Sequence, residues 1–124
     1  MGKTTAAALA VCMCLGLFVS CGPKTIYLKK GFDTPSHHVD NGYKLMGLGK
    51  LYAAQSEFER ARELDDRYAP AYVGLGIAHG MQGNLEKGRA IMETARTLAA
   101  DEEQRKEVEL GFERLYYLGK EWTE

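Results

Sequence analysis

Three histidines, three cysteines and a Gly-Lys-Thr-Thr run at the front carry the side chains best suited to ligation or nucleophilic attack in this chain. His37, His38 and Asp40 lie closest together, and imidazoles with a carboxylate are a ligand set for a divalent transition ion. Their spacing argues against that use. Adjacent helical residues point to different sides, so His37 and His38 do not converge easily on one ion. The segment reads instead as a solvated helix start. Cys12 and Cys14 sit inside an apolar run with no further ligand nearby, and read as small hydrophobic residues. Gly2-Lys3-Thr4-Thr5 resembles the end of a phosphate loop but lacks the upstream glycine and the preceding strand. His79 stands among small residues and reads as a packed or partly exposed histidine. No Ser-His-Asp arrangement and no cysteine paired with a base is present. The expectation is a protein that is not an enzyme, with no catalytic residues, no metal and no cofactor.

Composition points the same way. The chain has 124 residues, 45% hydrophobic and 27% charged, which fits one domain. A formal charge of −1 leaves no broad positive field to hold a nucleic acid through counterion release. Fourteen glycines against three prolines suggest helices packed closely together. Glu57, Glu59, Glu63 and Asp65 alternate with Arg60, Arg62 and Arg67, as on a solvated helix surface, where each pair contributes ~0.3 kcal/mol. All cysteines lie within the first 21 residues, so no disulfide framework staples the body.

Residues 1–20 have the pattern of a secretory signal. Lys3 and the amino terminus supply positive charge, and Ala6 to Val19 is an uncharged apolar run. That run is too short to span ~30 Å of hydrocarbon stably, but it suits a signal-peptide core. Leu17-Phe18-Val19-Ser20-Cys21-Gly22 resembles the lipobox of bacterial lipoproteins, with Phe18 where that family usually has leucine. The resemblance implies cleavage before Cys21 and acylation of its sulfur and amino group. It further implies an address at the outer membrane facing the periplasm, because Gly22 and not aspartate follows the cysteine. Two or three acyl chains hold a protein to a bilayer where one is marginal. Residues 21–35 then form a short flexible tether, broken by Gly22, Pro23, Gly31 and Pro35.

The rest of the chain repeats. A shift of 34 residues aligns Gly42 with Gly76, Gly49 with Gly83, Leu51 with Leu85, Phe58 with Met92, Ala61 with Ala95 and Leu64 with Leu98. A fixed period of this length signals stacked supersecondary units. Apolar residues recur at three- and four-residue steps through four segments, with turns at Gly49-Lys50 and Gly83-Asn84. Small residues (Gly42, Gly76, Ala54, Gly88) let paired helices approach. Large ones (Leu45, Phe58, Tyr72, Leu75, Met92) fill the gaps. In the segment 101–122, Val108, Phe112, Leu115, Gly119 and Trp122 make one apolar face, and a capping helix over 103–120 is suited to covering the end of the stack.

This pattern resembles the tetratricopeptide repeat, or TPR, with repeat one at 35–68 and repeat two at 69–102, inside a domain spanning 36–122. His38, Asn41 and His79 depart from the family's large or aliphatic residues. The implied fold is all-α: an α-solenoid of two helix hairpins with a capping helix, behind the signal peptide and stalk. In that family the first helix of each hairpin lines a groove for peptides or helices. Carried across, the lining is Val39, Tyr43 and Met46 from repeat one and Val73, Ile77 and Met81 from repeat two. These positions lack the Lys, Arg and Asn of a carboxylate clamp, so an apolar segment fits better. The implied function is a membrane-anchored adaptor that binds a protein of the bacterial envelope and assists assembly or localisation of an envelope, secretion or pilus complex. The alternative is a self-associating structural lipoprotein whose groove is filled by its own chain. Tyr116, Tyr117 and Trp122 leave aromatic surface for a homodimer.

Overall fold

Thr34 precedes the first helix in an extended conformation, and its hydroxyl accepts a hydrogen bond from the backbone N–H of His37 at 3.3 Å. Pro35 opens that helix, where its missing N–H is not needed. These details come from a computed structural model that describes residues 32–121 and Thr123. The expected signal peptide, Cys21, most of the expected tether and Trp122 lie outside the described residues.

Five helices follow one another: α1 (Pro35–Gly47), α2 (Leu51–Leu64), α3 (Ala69–Met81), α4 (Leu85–Leu98) and α5 (Glu102–Glu121). No strand occurs among the described residues. The first and last residues of α3 and α4 lie 34 positions beyond those of α1 and α2. The turns match as well. Gly49 has φ of 72° and Gly83 has φ of 85°, the left-handed region that costs glycine nothing. Beyond each glycine the next N–H returns to the helix just ended, Lys50 to the Leu45 carbonyl and Asn84 to that of His79, both at 2.9 Å. One local rule thus builds both hairpins.

Side-chain size then sets the packing. The Phe58 ring is fully buried and lies where the missing Cβ atoms of Gly42 in α1 and Gly74 in α3 would otherwise project. It joins the first hairpin to the second. Within the second hairpin, a Cβ on Gly88 would lie 2.7 Å from the Gly76 carbonyl oxygen, so α3 and α4 meet backbone to backbone. Met92, fully buried, reaches the site of Gly111 on α5. Helix α5 starts one residue earlier than the sequence suggested. There the Asp101 carboxylate accepts from the Gln104 N–H at 2.8 Å, and the Gln104 amide oxygen accepts from the Ala100 N–H at 3.1 Å. Val108 and Leu115 are buried as α5 lies across α3 and α4.

The expected solvated helix start at His37, His38 and Asp40 is corrected at His38 alone. His38 is only 5% exposed, and its ring nitrogens lie 2.7 Å from Glu57 Oε2 and 2.9 Å from Asp33 Oδ1. Arg60 completes the cluster, donating from Nε and Nη2 to the two Asp33 oxygens at 3.2 and 2.8 Å. The Arg60 guanidinium, then the His38 ring, holds the Asp33 carboxyl below its ordinary pKa. Burial of His38 is tolerable because both polar atoms find charged partners.

Candidate partner-binding face

Helices α1, α3 and α5 lie side by side with α3 in the middle; no Cα of α1 comes within 8 Å of one in α5. The six residues implied to line a groove are on α1 and α3. Four of them, Val39, Met46, Val73 and Ile77, are buried in the core, while Tyr43 and Met81 are partly buried. Of the positions the resemblance implies, only Tyr43 and Met81 therefore keep part of their surface open, and the other four pack in the core. Tyr43 reaches across the face. Its ring meets Phe58 edge-on at 5.3 Å, and its hydroxyl donates to Glu107 Oε1 of α5 at 3.2 Å. One side chain from each flanking helix thus closes over α3.

This closure is electrostatically loaded. Burial pushes the Glu107 carboxyl above its ordinary value; the Tyr43 hydrogen bond opposes that shift and the nearby Glu103 charge adds to it. Burial, then the Glu107 charge, pushes the Tyr43 hydroxyl up as well. Tyr68 is raised by burial first and then by Glu107, Asp40, Asp65 and Glu103. The rim is an acidic, tyrosine-bearing surface with Arg114 acting against the Tyr43 shift. A carboxyl whose folded pKa is raised binds its proton more tightly in the folded state, so its contribution falls as pH rises from about 4.5 through the raised value. Glu107→Gln keeps an acceptor for Tyr43 and removes that loss. Melting curves across pH 4 to 8 should show the variant gaining on the natural chain as pH rises. A constant difference would place the titration elsewhere.

A second concavity of about 590 Å³ opens between α2 and α4, lined by Tyr52, Gln55, Glu59, Leu75, His79 and Lys87 among others. Tyr52 is 81% exposed. Gln55 Nε2 lies 3.2 Å from His79 Nδ1 and donates to Gln82 Oε1 at 3.2 Å, while Gln82 Nε2 donates back at 3.3 Å. Burial, then the Lys87 charge, lowers the His79 pKa, which favours the neutral ring that accepts from Gln55. Sequence reasoning did not assemble this groove. Tyr52, an aromatic residue on the charged side of α2, was the one signal for it. Lys87 and the Glu59 and Glu63 carboxylates give it mixed charge, suited to polar contacts.

No family model, curated protein or solved structure matches this chain. Its role must be read from residues and geometry. Among the described residues no three or more His, Cys, Asp or Glu side chains are placed to hold a metal ion. None of the described helices is long and apolar enough to cross a membrane. Cys21 lies outside the described residues, so the geometry bears on residues 32–121 and not on the expected lipidation.

Proposed function

We propose that this protein is a membrane-tethered adaptor of the bacterial envelope, of TPR type, that works by holding a protein partner and not by catalysis. Cys21 carries the lipid, residues 21–35 form the tether, and the stacked hairpins form the binding body, at the outer membrane facing the periplasm. The observation that best supports the reading is the 34-residue recurrence of both helices and their glycine turn. Tethering raises the concentration at which partner and body meet, so modest contacts suffice. A peptide or helix from another envelope protein would approach along α1 and α3, meeting Tyr43 and Met81 first.

The burial of Val39, Met46, Val73 and Ile77 favours a second reading, in which the stripe is filled by the chain's own side chains and the role is architectural. Replacing Tyr43 and Met81 together by alanine distinguishes the two. An adaptor loses partner capture by more than its melting temperature falls, whereas an architectural protein loses stability alone. The anchor has its own test. Cys21→Ala should move the protein from the membrane to the soluble fraction and abolish its labelling by fatty acid. A labelled, membrane-bound variant would overturn the lipoprotein assignment.

A further inference from the structure

On α5, the residues opposite the buried side form a stripe with an internal symmetry. At about 100° per residue, Lys106, Leu110, Glu113, Arg114, Tyr117 and Glu121 fall within an arc of roughly 100°. All six are exposed, and Leu110 and Tyr117 are each 56% exposed. The opposite side of the helix carries the buried Val108, Gly111 and Leu115.

The charges on this stripe differ from those beside it. Off the stripe, Arg105 pairs with Glu102 at 2.9 Å, and Glu109 lies 3.5 Å from Arg96. Glu107 accepts from Tyr43, and the Lys120 ammonium lies 5.1 Å from the centre of the Tyr116 ring. On the stripe, Lys106, Glu113, Arg114 and Glu121 make no ion pair among the described residues. Charged and apolar groups are thus held on a rigid helix, facing outward, with their partners elsewhere.

We propose that this face of α5 binds the same face of a second copy of the chain, with the two helices antiparallel. A two-fold axis placed between residues 113 and 114 makes the stripe complementary to itself. Leu110 meets the partner's Tyr117, Glu113 meets the partner's Arg114, and Lys106 meets the partner's Glu121. Symmetry makes each contact twice. The parallel arrangement brings like residues together and sets glutamate against glutamate and lysine against lysine, which costs energy. Charge order therefore selects the antiparallel pair, and the Leu–Tyr contacts supply apolar area at its centre. The stripe borders the α1–α3 rim at Arg114, whose charge acts on the Tyr43 hydroxyl, so pairing through α5 is read by self-association and not by capture of another protein.

Charge reversal tests the register. Glu113→Arg sets two guanidinium groups against each other at both copies of that contact, because the partner's Arg114 stays in place. Arg114→Glu sets two carboxylates together in the same way. Each single variant should weaken self-association about 30-fold, which is ~2 kcal/mol at 1.4 kcal/mol per tenfold. The double variant, Glu113→Arg with Arg114→Glu, restores opposite charges and should return the dimer to within about threefold of the natural chain. Sedimentation equilibrium of the full chain in density-matched detergent, at up to ~100 µM, reads the masses. Circular dichroism should show unchanged helix content in all three variants, since both positions are exposed. A natural chain that stays monomeric at that concentration overturns the proposal. So does a double variant as weak as the singles, or single variants that associate as well as the natural chain.

Discussion

Gly88→Leu should destabilise the helical domain by about 3 kcal/mol or more, the upper range of overpacking costs. For a domain of this size that is a fall in melting temperature of more than ~12 °C. The size of the effect follows from what the new side chain meets. A Cβ at Gly88 would lie 2.7 Å from the Gly76 carbonyl oxygen and 3.3 Å from the Gly80 nitrogen. Both are backbone atoms of α3, and a helix backbone cannot turn aside as a side chain can. Helices α3 and α4 must separate, and Met92 and Leu115 lose contacts as they do. Gly47→Ala is the control, because a Cβ there meets nothing within 4 Å. That change should leave stability level or raise it by up to ~1 kcal/mol through the helix preference of alanine. Thermal melting followed by helical circular dichroism compares the two. Similar small shifts in both would show that α3 and α4 do not meet as described.

Phe58→Ala should cost ~3–5 kcal/mol, as expected for a fully buried aromatic side chain. More telling is its coupling to Gly74. The Phe58 ring occupies the space where a Gly74 side chain would project. Gly74→Ala alone should therefore cost ~1–3 kcal/mol by overpacking. In a chain that already carries Phe58→Ala the ring is gone, and the new methyl enters vacated space. There Gly74→Ala should be neutral or stabilising, because alanine in a helix interior is favoured over glycine by ~0.5–1 kcal/mol. The double-mutant cycle, measured by urea denaturation, should show a coupling above ~1 kcal/mol. Additive effects would mean that Phe58 does not bridge the two hairpins at Gly74.

Much of the helical arrangement was legible because its signals are local. Gly49 and Gly83 turn the chain, and the repeat of large and small residues fixes which sides face inward, whereas Pro35, expected to break the tether, opens α1. The turns at Gly49 and Gly83 and the fifth helix fall close to their expected places for that reason. The contacts that were not legible all join residues far apart in sequence. His38 looked solvent-facing because nothing beside it in the chain hinted that Glu57, on the next helix, would take one of its nitrogens. Gly74 and Gly111 look like any other glycine until Phe58 and Met92 arrive beside them. The α1–α3 groove is an implication of the TPR resemblance, and a resemblance carries positions across without saying what packs over them. Tyr43 reaching Glu107 across α3 is a fact of packing, and no spacing rule contains it.

The Asp33 cluster has a mechanical consequence. Asp33 is gripped by Arg60 and touches His38, whose other nitrogen is held by Glu57, so the residues just ahead of α1 are bolted to α2. A tug on the chain ahead of Phe32 is borne first at that bolt and passes straight into the second helix. Helix α1, next in sequence, is thereby shielded from being peeled away a turn at a time.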